Sequence, residues 1–398
     1  MPAKRSLNIC LVTNDFPGLT ETFVTTKALE LSRRGHKITV IKNLDTGTVN
    51  TTHLALIKQA GIEIITYNRL ATKAEIIKAL LSQPFITLRS LSTSLTAFKK
   101  KFRNQLQQKL LASSFDIVHF EFSGLAVVYS NTIDKINSKV VVSCRGTAEK
   151  VKPISDPFRK EKLKKMFSKV DAIHCVSQDM ADTIIPYVNE QQKIFVNRPS
   201  IDAEVFKRVK PYSPYGEALQ LLTIGRFTFQ KGYLVGLMAM RKLKNEGVVF
   251  TWKIVGDGPL EEEMLYHIHA LQLSDCVKLL GKKNRDEILE LYNNADVFFL
   301  PSVYEGIANV CLEAMSMQLP VLSTKSGGME EVIVHRQNGL LCEVYDVDSI
   351  AENIKWITQN GDLLPELGVQ ARKTILERFT IDRQADVFEE QYFKLMNT

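Results

Sequence analysis

Short apolar runs recur along this chain with helix-patterned stretches between them, and that alternation constrains the fold more than any other feature. Residues 7–13 read as a strand and 21–34 as a helix with Val24, Ala28 and Leu31 at i, i+4 and i+7. Gly35 caps that helix and 37–41 form the next strand, which makes a βαβ start. Further buried strands are expected at 116–120, 140–143 and 172–176. Pro199, Pro211, Pro214 and Gly216 then interrupt the periodicity and mark a linker near 197–216. A second series follows, with strands at 219–224, 251–255, 277–280, 297–300 and 320–323 and helices between them. The economical architecture is α/β: two doubly wound Rossmann-like domains facing a central cleft, with ligands at the carboxyl ends of the strands.

At 398 residues, 45% hydrophobic and 24% charged, the chain can bury two full cores. Its six cysteines are scattered without CxxC spacing, so they are read as buried thiols in a reducing compartment. Lys4 and Arg5 precede an apolar run of only 9–12, too short for a signal peptide, and no run approaches the roughly 18 to 20 residues of a membrane span. A cytoplasmic location is expected. No GxGxxG follows the first strand, which argues against a dinucleotide site.

The segment 301–321, PSVYEGIANVCLEAMSMQLPV, carries the chemistry. Asn309 is expected to cap a short helix through Val310, Leu312, Ala314 and Met315 that ends near Pro320. Glu305 then lies just before the helix and Glu313 in its first turn, where unpaired N–H groups favour a diphosphate. Gly306, Ile307, Ala308 and Asn309 supply backbone N–H groups for close phosphate approach. One carboxylate can reach sugar hydroxyls on one side of the phosphates and the other ribose hydroxyls on the opposite side. Two glutamates in isolation are ordinarily solvated surface acids. Here a buried strand, 298–301, runs into them and Gly327-Gly328 follows the next strand.

This region resembles glycosyltransferase family 4, the retaining, metal-independent transferases of the GT-B fold, whose paired glutamates correspond to Glu305 and Glu313. Gly225-Arg226 with Lys231-Gly232 resembles the family's diphosphate clamp, and Gly256-Asp257-Gly258-Pro259 its turn before the next helix. With Gly281, Pro301-Ser302 and Gly327-Gly328, these landmarks run in order through 219–345. The first half matches more loosely, through Phe16-Pro17-Gly18, 116–119, Arg145-Gly146 and Val176-Ser177. The resemblance implies an acceptor-binding domain at 1–197, a nucleotide-sugar domain at 198–380, and a last helix, 381–398, packing back on the first. It implies a catalytic set of Glu305, Arg226, Lys231, His119 and Glu121. The implied donor set is Gly18, Gly225, Gly256, Gly258, Gly306, Ile307, Ala308, Asn309, Val310 and Glu313. Relatives often carry H-x-H where this chain has His119-Phe120-Glu121, and this departure leaves the identity of any base open. The donor implied is a UDP- or GDP-sugar, with no permanently bound cofactor and no metal, the cations of Arg226 and Lys231 taking a metal's charge role.

The net charge of +7 is concentrated in two stretches, 70–111 and 150–169, each with eight Lys or Arg against one and two acids respectively. Both segments are expected to meet an anionic membrane surface, and the first interleaves its cations with Ile76, Leu80, Phe85, Phe98 and Phe102, a pattern that suits such a surface. The rival is a solvated helical face; no nucleic-acid motif accompanies the charge. The resulting expectation is a hexosyltransferase of cell-surface polysaccharide assembly, such as lipopolysaccharide or exopolysaccharide, peripheral on the inner face of the membrane, with a glycan or polyprenyl-linked lipid acceptor. A catalytically silent sugar-nucleotide-binding or scaffold protein is the alternative, and a glycosidase using Glu305 and Glu313 the third reading.

Overall fold

The computed structural model describes residues 5–18, 21–42, 51–66, 114–212 and 216–397. The basic stretch 70–111 lies outside them. Two compact units emerge: Met1–Cys175 with Ala181–Asn197 and Ala385–Thr398, and Val176–Met180 with Arg198–Gln384.

The first unit is built on a sheet of β1 (Asn8–Thr13), β2 (Lys37–Lys42), β3 (Glu63–Thr66), β4 (Ile117–Phe120), β5 (Lys139–Cys144), β6 (Ala172–Cys175) and β7 (Ile194–Val196). Their order is β3-β2-β1-β4-β5-β6-β7 and every pair is parallel. Parallel strands are covered on both faces, which is why β1, β4 and β5 read as nearly continuous apolar runs. Val24, Ala28 and Leu31 of helix Thr22–Arg33 are buried, as their spacing predicts, and pack with Ile9, Leu11, Ile38 and Val40. Phe388 and Tyr392 of the last helix, Ile381–Met396, complete that core.

The second unit repeats the plan with β8 (Leu219–Ile224), β9 (Phe250–Val255), β10 (Val277–Leu279), β11 (Val297–Leu300), β12 (Val321–Thr324) and β13 (Leu340–Cys342). The order is β10-β9-β8-β11-β12-β13, again all parallel. Trp252 and Phe299 pack ring against ring in its core, with Leu237, Met240 and Ile254 around them. All six cysteines are free thiols, five of them buried. No helix among the described residues is long and apolar enough to cross a membrane.

Candidate active site

In the second sheet β9 and β10 extend to one side of β8, while β11, β12 and β13 lie on the other. The chain therefore switches direction between β8 and β11, where the loops at the strand ends part and leave a crevice. The motif residues converge on that edge. Gly225-Arg226 leaves β8, Gly256–Gly258 leaves β9, Pro301 to Glu305 leaves β11, and Gly327-Gly328 follows β12.

Lys231 closes a short 3₁₀ turn, Phe229–Lys231, ahead of helix Tyr233–Asn245. Its ammonium lies 2.7 Å from Glu305 Oε1, and the Ser302 hydroxyl donates to the same oxygen at 2.7 Å. Glu305 is only 9% exposed, so this pair ties the loop after β8 to the loop after β11 across the switch point. Two glycines let the loops approach that closely. Gly232 (φ 64°) and Gly327 (φ 62°) occupy the left-handed region, and a Cβ on either would overlap a backbone carbonyl, that of Pro301 or of Glu305 respectively. The N–H of Phe227 donates to the Asp257 carbonyl at 2.7 Å, tying the turn after β9 to the same edge. Arg226 is exposed, and its guanidinium has no partner among the described residues. The sequence marked Ser302 only as part of a landmark, without its bond to Glu305, and did not mark the ion pair.

The helix after Glu305 corrects two expectations. It spans Asn309–Ser316, so Ala308 occupies the cap position with no side-chain cap bond and Asn309 is the first helical residue. The N–H of Ala308 faces Met329 Sδ at 3.5 Å, while those of Gly306 and Ile307, both buried, have no acceptor among the described residues. Buried donors of that kind are where an anion is held. Glu313 lies beyond the first turn, away from the strongest part of the dipole. The Tyr292 hydroxyl is 2.9 Å from its Oε2 and 3.1 Å from the Val310 carbonyl. Burial pushes the Glu313 carboxyl up to about 7, against the opposing hydrogen bond from Tyr292 and the Arg285 charge. Near neutrality it is a carboxyl poised between donor and acceptor.

The first sheet switches between β1 and β4. Gly18 follows β1 and sits beside Asp15. His119 and Glu121, expected to act on substrate, are instead fully buried. Glu121 accepts from Lys27 at 2.6 Å and from Arg145 at 2.7 Å. Burial alone would raise its carboxyl, but the Lys27 and Arg145 charges outweigh that and hold it below the usual range. A carboxylate so clamped is a poor proton acceptor. His119 Nδ1 lies 3.0 Å from Lys27 Nζ and 2.6 Å from the Tyr392 hydroxyl, and its Nε2 is 2.8 Å from the Ser143 hydroxyl. That hydroxyl is 2.7 Å from His174 Nδ1, whose ring reaches the Asn197 carbonyl at 2.7 Å. Desolvation, with Lys27 and Arg145 nearby, drives His119 well below the ordinary histidine range. Burial likewise lowers Lys27 to about 8 despite Glu121. Arg145 stacks on Phe23, 4.0 Å from the ring centroid, which fixes the fork that grips Glu121. Lys27 carried a signal that sequence reading passed over: it falls between Val24 and Leu31 in the apolar stripe of its helix, where a cation requires a buried partner.

The sequence profile described as "Glycosyltransferase Family 4" matches residues 20–205, and the one described as "Glycosyl transferases group 1" matches 207–374. Amylovoran biosynthesis glycosyltransferase AmsK of Erwinia amylovora is 29% identical over 265 residues, 65% of each chain. The putative colanic acid biosynthesis glycosyltransferase WcaL of Salmonella typhimurium is 25% identical over 393 residues, 93% of this chain and 96% of that one. Anabaena Alr3699/HepE, crystallised with UDP and glucose, superposes with a TM-score of 0.73 at 17% identity over 97% of this chain and 99% of its own. Two parallel Rossmann-like units and that likeness show the GT-B fold. The chain belongs to glycosyltransferase family 4, its second half matching the group 1 glycosyl transferases.

Proposed function

We propose that this chain is a retaining hexosyltransferase that uses a nucleoside-diphosphate sugar, with UDP or GDP as the nucleotide, and no metal ion. Its acceptor is a glycan or polyprenyl-linked lipid at the inner face of the cell membrane, in assembly of a cell-surface polysaccharide. The observation that carries this reading is the Lys231–Glu305 pair across the β8/β11 switch point, with the open Arg226 guanidinium on the same edge. The polysaccharide assignment follows the names of the relatives, and the choice of UDP among nucleotides draws on the Anabaena complex.

In this reading the diphosphate takes Lys231 from Glu305 and lies against the N–H groups of Gly306 and Ile307, with Arg226 on its outer side. Glu305, released, accepts from sugar hydroxyls; Glu313 and Val310 face the ribose. As the bond from the anomeric carbon to the phosphate oxygen breaks, charge grows on the diphosphate, and fixed cations stabilise it better than reorganising water does. The acceptor oxygen bonds to the same face of that carbon and its proton passes to the departing phosphate. Glu121 is then a positioning residue and no base from the first unit is required.

Calorimetric titration with UDP, GDP and ADP tests this on the wild type, Arg226→Ala and Lys231→Ala. One diphosphate binds the wild type and weakens at least tenfold in both variants. Transfer by Lys231→Ala falls about a hundredfold to a thousandfold, the cost of removing one charge-stabilising group. Failure of all three nucleotides to bind overturns the reading. Binding without transfer, with any acceptor of the class named, favours the silent sugar-nucleotide-binding protein instead.

A further inference from the structure

Beyond β5 the chain passes through Arg145 and Gly146 into two short helices, Thr147–Lys150 and Lys152–Ser155, and then into helix Arg159–Phe167. Its inner face is settled: Leu163, Met166 and Phe167 are buried, and Arg159 turns inward to the Ala148 carbonyl at 3.2 Å. The outer side is unusual. Ile154 is 85% exposed and Phe158 70% exposed, four residues apart, while most large apolar side chains of this unit are buried. Asp156 fixes the turn between them, accepting from the Phe158 N–H at 3.0 Å and the Lys162 ammonium at 2.9 Å. Phe158 is thus held outward by a made turn.

Around these two side chains the charge is one-sided. Lys152, Lys160 and Lys165 are exposed and have no acidic partner among the described residues, and Lys164 has only the exposed Glu161 at 3.5 Å. Two exposed apolar side chains ringed by unpaired ammonium groups match a surface that is apolar beneath and anionic at its face. An acidic protein partner would meet the lysines but would need its own apolar pocket for both Ile154 and Phe158, and a nucleic acid would leave Ile154 without a counterpart. We infer that Ile154, Phe158 and the lysines at 152, 160 and 165 form a docking surface for an anionic lipid bilayer, with the two apolar side chains entering the headgroup region. The surface descends from the C-terminal end of β5, the edge of the first sheet that also carries the loops after β1 and β4, so docking there brings that edge to the membrane. This extends the membrane-borne acceptor proposed above to named residues. Its test uses neither donor nor acceptor, so the two proposals fail separately.

The full chain is floated at low salt with vesicles of phosphatidylcholine alone or with about one third phosphatidylglycerol. Wild type floats with the anionic vesicles only. Ile154→Ser with Phe158→Ser, and separately Lys160→Glu with Lys165→Glu, each weaken binding at least tenfold; all four side chains are exposed, and circular dichroism checks the fold. Phe158→Trp adds emission that shifts to the blue on anionic vesicles and stays unshifted with neutral ones, reading this surface independently of the basic stretch at 70–111. Flotation of the double serine variant equal to wild type, equal recovery on neutral vesicles, or an unshifted emission in the bound Phe158→Trp protein overturns the inference. Heparin binding as tight as vesicle binding and unaffected by the serine pair overturns it too, since the surface is then a general polyanion site.

Discussion

A carboxyl held near 7, as Glu313 is, costs stability whenever it ionises. Its unfolded counterpart titrates near 4.5, so between the two values the unfolded chain gives up a proton that the folded chain keeps. The sign is therefore fixed: this contribution is whole below about 4.5, declines as pH rises, and is gone above about 7, a difference on the order of 3 kcal/mol. Glutamine keeps the acceptor for Tyr292 and removes the titration. The wild-type urea midpoint is expected to fall between pH 5 and pH 8, and Glu313→Gln to flatten that fall. Trp252 and Trp356, the only two tryptophans, both lie in the second unit, so tryptophan emission reports this effect where it arises. Parallel pH curves for the two proteins would mean that Glu313 is solvated after all.

At the scale of elements, the site is a set of loop ends that close approach holds together. Gly232→Ala or Gly327→Ala puts a methyl into a carbonyl at a left-handed φ, and each is expected to cost more than about 2 kcal/mol. Gly247→Ala is the matched control, since Gly247 has a positive φ with open space around it. If all three variants lose the same stability in thermal melts, backbone conformation and not loop contact sets the cost. The strands that carry the site were legible because a parallel strand buried on both faces reads as an unbroken apolar run, as in Val297–Leu300. Three strands went unread: Glu63–Thr66, Ile194–Val196 and Leu340–Cys342, all at or near sheet edges and too short to show a period. Glu305, Lys231 and Arg226 were legible by motif, but the Lys231–Glu305 bond was not, because it joins residues far apart in sequence. Asn309 was misread as a cap for a local reason: Ala308 already has the extended backbone of a cap position, and the chain begins its helix one residue earlier than the side-chain preference implies.

Across the whole molecule, the two units carry buried groups whose pH responses oppose each other. In the first unit His119 and His174 are buried and neutral, each well below the ordinary range of 6.5, with Lys27, Arg145, Glu121 and Tyr392 packed around His119. The unfolded chain protonates both below about 6.5 and the folded chain does not. Their contribution is thus present above 6.5 and lost on acidification. Glu313 pulls the second unit the other way over the same interval. Amide hydrogen exchange resolves the units where a single melting curve does not. From pH 7.5 to 5.5, after correction for intrinsic rates, the slowest amides of β4, β5 and β6 are expected to lose protection, while those of β8 and β11 hold or gain it. His174→Gln removes one histidine's share and leaves the rest of the slope. The last helix belongs to this response as well, since Tyr392 contacts His119, and its residues from Ala385 onward are expected to lose protection with β4. Loss of protection in β8 and β11 first, with β4 unchanged, would place the acid-sensitive groups in the wrong unit.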